Sequence, residues 1–161
     1  MTNYEILLKI VNDSQFSNIQ SLQSLPLKQI ANDKVLLSKD QNGLYALSHP
    51  KAGIIYIGKG KPIVGRLMSH LKATKGHEKA PAWRQFFHYF SSDLTAHYLI
   101  IPDQDDPQTG ELIRRILEQL LVLKHQPLFE KLYPEKKNRS IRNFNRKVEQ
   151  LIRERGDSVA A

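Results

Sequence analysis

Two short apolar segments separated by a compact turn constrain the fold of this 161-residue chain more than any other feature of its sequence. Residues 43–48 and 54–57 are rich in Leu, Ile and Tyr, and turn-forming residues precede each of them, Asp-Gln-Asn at 40–42 and His-Pro-Lys-Ala-Gly at 49–53. Short apolar runs bounded in this way are typical of β-strands, and a short loop between two strands favours a hairpin. The sequence therefore predicts a hairpin whose second strand is broken by Gly-Lys-Gly-Lys-Pro at 58–62.

The remaining segments predict helices around a small sheet. The apolar pattern indicates helices at residues 3–11, 27–31, 63–73, 82–90 and 138–154. Asp106 followed by Pro107 is typical of a helix start, and this helix would run to about residue 125. Residues 95–101, rich in β-branched and aromatic side chains, predict a third strand.

The expected fold class is therefore α/β in the broad sense (α+β), a small, mainly antiparallel, three-stranded sheet flanked by helices. We expect an N-terminal helical extension at 1–40, a central module at 41–130 and a basic C-terminal helical extension at 131–161.

Composition excludes several classes of site and favours an anionic partner. The chain has no cysteine, which rules out disulfides, thiolate zinc sites and a cysteine nucleophile. Its net charge of +8 is uneven: residues 51–90 carry +7 and residues 131–161 carry +5, while residues 91–130 carry −4. Basic blocks attract a nucleic-acid backbone, although a solvated basic surface would show the same pattern. Without a recognisable signal peptide or membrane-spanning segment, we expect a cytoplasmic protein.

A few polar residues occupy positions where the predicted elements would bring them together. Strand alternation allows Tyr45 and Tyr56 to point to one face of the hairpin, and Lys59 follows the second strand directly. Arg66 and His70 lie four residues apart and so share one face of the next helix.

The spacing of these residues resembles that of the GIY-YIG nuclease superfamily. Gly43-Leu44-Tyr45 stands at the first triplet, and Tyr56-Ile57-Gly58 stands at the second, eleven residues from Tyr45. Arg66 and His70 match the family's Arg-x-x-x-His, and Glu118, nine residues before a proline, matches its metal-binding glutamate. The resemblance covers residues 43–130. It departs at Glu130, where many members have an asparagine that supports the site; Asn138 is a candidate substitute.

The resemblance implies a metal-dependent endonuclease that hydrolyses DNA phosphodiester bonds with Mg²⁺ or Mn²⁺. Glu118 would bind the ion, Arg66 would contact the scissile phosphate and His70 would relay or accept a proton. It implies that Tyr45 orients or deprotonates the attacking water with help from Tyr56, and which phenol takes the proton stays open. Lys59 completes the expected catalytic set, and His77 is a candidate accessory residue. The expected DNA-binding residues are Lys59, Lys61, Arg84, Arg139, Arg142 and Arg146.

Two other functions fit the same sequence. The fold could persist as a nucleic-acid-binding module whose catalytic site has decayed, as Glu130 would suggest. The chain could also be a structural adaptor that binds a protein through its terminal helices. If it is a nuclease, cutting both strands of a duplex would need a homodimer or two successive nicks, because one such site cuts one strand.

Overall fold

The computed structural model describes residues 2–12, 18–31, 40–75, 82–90, 93–104, 106–132 and 144–160. Within these ranges the strands are β1 (Gln23–Pro26), β2 (Gly43–His49), β3 (Gly53–Gly60) and β4 (Thr95–Ile100). The helices are α1 (Asn3–Asn12), α2 (Ile63–Thr74), α3 (Ala82–Phe90), α4 (Pro107–His125), α5 (Leu128–Leu132) and α6 (Phe144–Ala160), with short 3-10 helices at Ile19–Ser21 and Leu27–Ala31.

The predicted hairpin is the centre of the sheet. Strands β2 and β3 pair antiparallel from Gly43 opposite Gly60 to His49 opposite Gly53, with a bulge after Leu47. The segment expected to break the second strand at residue 58 instead stays in the sheet to Gly60. The prediction failed there because glycines at 58 and 60 indicate a turn when the sequence is considered alone, whereas pairing with β2 holds them extended.

The sheet has four strands rather than the three predicted, in the order β1-β4-β2-β3. The additional strand, β1, lies at the edge beside β4, with Leu25 opposite Ala96 and Pro26 opposite Thr95. A proline is tolerated at the end of an edge strand, where its missing N–H breaks no internal ladder bond. The segment predicted to be a helical extension thus also contributes to the sheet.

Each face of the sheet carries its own apolar core. One core packs β2, β3 and β4 against α2, α3, α5 and α6, and includes the buried aromatic residues Phe86, Phe87 and Phe90. The other lies between the opposite face and α4, with α1 packed against its edge; it is built from Leu44, Ala46, Ile57, Ile113, Leu117 and Leu121. The sheet is therefore covered on both faces, and helices α2 and α4 lie on opposite sides of strand β3.

Helix α4 begins and ends as predicted, whereas α6 continues to Ala160, beyond its predicted end at residue 154. Helix α4 starts at the cap Asp106, whose carboxylate accepts from the N–H of Thr109 at 2.8 Å, and ends at His125. Helix α6 is described from Phe144 onward, so its predicted start at 138 lies outside the described residues. Arg155 of α6 donates to the carbonyls of Ala52, Ile54 and Gln126 at 2.7–2.8 Å, which fixes this helix to the hairpin and to the end of α4. None of the helices in the described ranges combines the length and apolarity that crossing a membrane requires.

Candidate active site

A cleft of about 620 Å³ opens where strand β3 meets α2, α4 and α5. Tyr56 and Lys59 reach it from β3, Arg66 from α2 and Glu118 from α4. Its lining is completed by Ile57, Gly58, Gly60, Lys61, Glu111, Arg114, Gln119, Val122, Phe129 and Glu130. Four of the six residues predicted to be catalytic therefore share one cleft although they come from three separate elements.

The other two predicted catalytic residues lie behind the wall of the cleft. Tyr45 is 1% exposed, and its Oη lies 2.6 Å from Nε2 of His70, which is also buried. The rings of Tyr45 and Tyr56 stack with their centroids 6.0 Å apart, which confirms that both side chains point to one face of the hairpin. Neither Tyr45 nor His70 lines the cleft, and the rings of Phe87 and Phe129 pack edge-on against Tyr56 at 5.4 and 5.2 Å.

Glycine at position 58 makes room for the two phenols. Gly58 lies opposite Tyr45 in the β2–β3 register. A Cβ atom at this position would lie 2.6 Å from Oη of Tyr45 and 2.9 Å from Cε1 of Tyr56. Both distances are shorter than van der Waals contact, so a larger residue would displace one of the rings. The glycine of the second triplet is thus required by the packing of the tyrosines on either side of it.

Burial governs the acidity of the phenols. It raises the pKa of Tyr45 well above its ordinary value and also raises that of Tyr56. The guanidinium of Arg66 acts in the opposite direction on both pKa values, as expected for a nearby cation, but it does not outweigh the loss of solvent. Both phenols are therefore protonated at neutral pH in the protein alone.

His70 does not titrate near neutrality, contrary to what its ordinary pKa suggested. Burial, helped by the positive charge of Arg66, lowers the pKa of His70 to about 3. Its ring is neutral under physiological conditions, with Nε2 bonded to Tyr45, while Nδ1 has no hydrogen-bond partner in the described part of the chain. His70 is thus a neutral partner of Tyr45 in the protein alone.

A network of charged residues that was not predicted from the sequence forms one wall of the cleft. The ammonium of Lys59 pairs with the carboxylate of Glu111, and Glu111 also pairs with Arg114 across 3.5 Å. Arg114 is completely buried, and its Nη1 donates to Asp103 at 2.8 Å and to the carbonyl of Ile101 at 3.0 Å. Burying a guanidinium is costly unless it is paired and hydrogen-bonded. Both Nη atoms of Arg114 are paired, while its Nε has no hydrogen-bond partner among the described residues.

One signal in the sequence could have indicated this network of charged residues. Gly110 lies within the first turns of α4, where glycine is unfavourable. A Cβ atom there would collide with the carboxylate of Asp103, the group that binds Arg114. A glycine inside a helix can thus mark the close approach of another group, but the sequence does not identify that group.

The carboxylates of the cleft have the chemistry that a hard divalent cation requires. Glu118 and Glu130 both line it and offer oxygen ligands, and the open volume leaves room for water and substrate oxygens. This donor set suits Mg²⁺, which usually keeps several waters and takes one or two protein carboxylates. In the described ranges, no three His, Asp or Glu side chains come together in an arrangement that could hold an ion. Glu130, which stands where the resemblance led us to expect an asparagine, lies in the cleft.

The predicted DNA-binding residues are only partly described. Lys61 lines the cleft, 4.0 Å from Asp103, and Arg146 is exposed on α6. Arg84 lies on α3, but only its backbone is described, while Arg139, Arg142, His77 and Asn138 lie outside the described residues. Alongside Arg146, the described part of α6 exposes Lys147, Arg153, Glu149 and Glu154, so its surface is mixed in sign rather than purely basic.

Comparison with known proteins adds no relative to this description. The chain matches no known family model, no curated protein and no solved structure.

Proposed function

We propose that this chain is a metal-dependent endonuclease of the GIY-YIG type that hydrolyses DNA phosphodiester bonds with Mg²⁺ or Mn²⁺. The observation that carries the proposal is the shared cleft of Tyr56, Arg66 and Glu118, contributed by β3, α2 and α4. These residues supply a hydroxyl, a permanent positive charge and a metal-binding carboxylate. Phosphodiester hydrolysis needs groups of this kind, because water must be activated and the charge of the phosphoryl oxygens neutralised.

The positions of the residues support a division of tasks. Arg66 is exposed at the cleft and would bind the scissile phosphate through its two-pronged guanidinium. Glu118 would hold the divalent ion, which supplies Lewis-acid stabilisation of the phosphoryl oxygens and leaving group. Tyr56 lines the cleft, whereas Tyr45 is buried and does not, so we assign the contact with the attacking water to Tyr56. In this proposal Tyr45 and His70 hold the ring of Tyr56 in place from behind.

Cleavage of supercoiled plasmid tests the proposal. Wild-type protein should nick the plasmid with Mg²⁺ or Mn²⁺ and should be inactive with EDTA. Glu118→Gln and Arg66→Lys should each reduce the rate by about 100-fold or more. Glu149→Gln on α6 and Arg115→Lys on α4 make the same chemical changes at exposed positions outside the cleft and should cut like the wild type.

A protein that fails to cut DNA would favour one of the two alternative functions. Wild-type protein that binds DNA but leaves it intact with either ion would favour the decayed binding module, in which Glu130 has replaced a required asparagine. Protein that neither binds DNA at low salt nor cuts it would favour the adaptor. A panel of linear, nicked and branched substrates then identifies the DNA form that an active protein prefers.

The proposed partner for cutting both strands is a second copy of the chain. Helix α4 exposes a stripe of large apolar side chains on a face other than the one that lines the cleft: Leu112, Ile116, Leu120 and Leu123, 42–71% exposed. Asp106 and Lys124 lie at the two ends of this stripe, so two copies of α4 packed antiparallel would bring opposite charges towards each other.

Sedimentation velocity tests this interface. Wild-type protein should sediment as a dimer, and a protein carrying both Leu120→Lys and Leu123→Lys as a monomer. Gln108→Lys, at an exposed polar position of α4, is the control and should leave the dimer intact. Wild-type protein that is monomeric at all accessible concentrations would leave sequential nicking as the route to a double-strand break.

A further inference from the structure

The network of charged residues at the cleft wall connects a buried arginine to a lysine at the proposed site. Lys59 lies on β3, three residues after Tyr56, and lines the same cleft. Its ammonium pairs with Glu111, and the two side chains are 30% and 35% exposed. A lysine side chain has a flexible four-carbon stem, so a partner is needed to hold its ammonium at one place. In the protein alone, that partner is Glu111.

Glu111 is in turn held by a rigid support. Arg114 lies one turn further along α4 and reaches Glu111 with Nη2. The side chain of Arg114 is 1% exposed, and its Nη1 is fixed by Asp103 and by the carbonyl of Ile101. A guanidinium bound on two sides and closed off from water cannot easily move. The position of Glu111 is therefore set from the interior, where α4 follows the end of β4.

We infer that Glu111 is a positioning residue, which acts through Lys59 and is held by Arg114 and Asp103. This inference rests on the proposed function, because it concerns the reaction in the same cleft. The ammonium of Lys59 has three N–H groups, and the carboxylate of Glu111 occupies part of this capacity. The remaining N–H groups are available to a phosphoryl oxygen of DNA. Glu111 thus fixes the place of the ammonium while leaving it able to bind the substrate.

The carboxylate of Glu111 positions Lys59 but opposes the binding of DNA. Glu111 adds a negative charge to a cleft that must receive a polyanion. Replacing it with glutamine removes that charge but keeps nearly the same size and a side-chain oxygen. The cleft becomes one unit more positive, which favours DNA binding, while Lys59 loses the ionic contact that orders it. A positioning role therefore predicts that kcat decreases while KM stays the same or decreases.

Steady-state cleavage of a defined DNA substrate by four proteins tests the inference: wild type, Glu111→Gln, Lys59→Gln and the double variant. We expect Glu111→Gln to lower kcat about tenfold without raising KM, and Lys59→Gln to lower it further. The double variant should be no slower than Lys59→Gln alone, because Glu111 acts only through Lys59. Glu149→Gln, with the same charge change on the exposed face of α6, should match the wild type.

A second variant tests the support of Glu111, and the thermal midpoint is measured for every protein. Asp103→Asn should lower kcat by about two- to threefold, and this loss should vanish in the Lys59→Gln background. Equal kcat for Glu111→Gln and wild type, or independent losses in the double variant, would overturn the inference while leaving the nuclease proposal intact. A rise in KM accompanied by a lower midpoint would also overturn it, because that pattern indicates general damage. An inactive wild-type protein would instead reject the nuclease proposal itself.

Discussion

The Oη of Tyr45 lies 2.6 Å from Nε2 of His70, and both side chains are buried. The two tyrosines therefore differ in their surroundings, since Tyr56 lines the cleft, whereas Tyr45 does not and its hydroxyl is bonded to a neutral histidine. Removing each hydroxyl separately should have different consequences, although the change in composition is identical.

Phenylalanine at each position distinguishes the two tyrosines. Tyr56→Phe should lower kcat by about 100-fold and should lower the free energy of unfolding less than Tyr45→Phe does, because Tyr56 lines the cleft and is the less buried of the two. Tyr45→Phe should lower the free energy of unfolding by about 1–3 kcal/mol, because Nε2 of His70 would be left buried and unpaired. Plasmid cleavage and urea denaturation measure the two effects. Equal losses of activity at equal stability would show that Tyr45 also acts in the cleft.

Acid should destabilise the protein through His70. The pKa of His70 is about 3 in the folded protein and near 6.5 when unfolded, so between these values only the unfolded chain takes up the proton. This contribution to stability is complete above pH 6.5 and is lost as the pH falls towards 3, by about 1.4 kcal/mol for each pH unit.

Urea denaturation between pH 7 and pH 5 measures this dependence, since most carboxylates are still ionised there. His70→Gln keeps a hydrogen-bonding side chain that cannot titrate, so the variant should lose less stability per pH unit than the wild type. His97 and His49, whose pKa values are also lowered by burial, would leave a residual pH dependence in the variant. Parallel curves for wild type and variant would contradict a buried, neutral His70.

Replacement by alanine should have opposite effects on stability at Gly58 and at Gly65. Gly58→Ala places a methyl group 2.6 Å from Oη of Tyr45, so we expect the variant to lose about 1–3 kcal/mol of stability and most of its activity. At Gly65, an exposed position of α2, the nearest atom would be 3.7 Å away, at Pro62. Gly65→Ala should therefore raise the free energy of unfolding by about 0.5–1 kcal/mol, because alanine is the better helix former. Thermal denaturation and plasmid cleavage of both variants provide the comparison.

The elements predicted correctly from the sequence are those that local chemistry determines. Turn residues on both sides of the hairpin and the Asp106–Pro107 start of α4 act within a few residues. Strand β1 was missed because its pairing partner, β4, lies about 70 residues later in the chain and because Pro26 indicates a break. The pleated conformation of residues 23–26 is stabilised by that distant pairing and is not evident from their own composition.

The candidate site likewise contains residues that the sequence identifies and residues that only the folded structure shows. The motif spacing identified Tyr56, Arg66 and Glu118, and the cleft brings these three together. The motif spacing did not identify Arg114. This residue belongs to a helix with many charged residues and resembles an ordinary surface arginine in the sequence. Its burial depends on Asp103, eleven residues earlier and beyond the start of the helix. Only the folded chain shows which of the charges of α4 face inward.

The dependence of DNA binding on salt should separate the cleft from the rest of the basic surface. Lys61 is exposed and lines the cleft, next to the β3 end at Gly60, whereas Lys51 is exposed in the turn at the opposite end of the hairpin. If DNA lies along the cleft, Lys61→Gln should remove about one phosphate contact and reduce the slope of log Kd against log salt by about 0.9. Lys51→Gln makes the same change in net charge and should leave the slope unaltered. Fluorescence anisotropy with labelled duplex DNA and the inactive Glu118→Gln protein measures both slopes without cleavage. Equal reductions for the two lysines would indicate that the protein attracts DNA by its overall charge and that the cleft is not the binding surface.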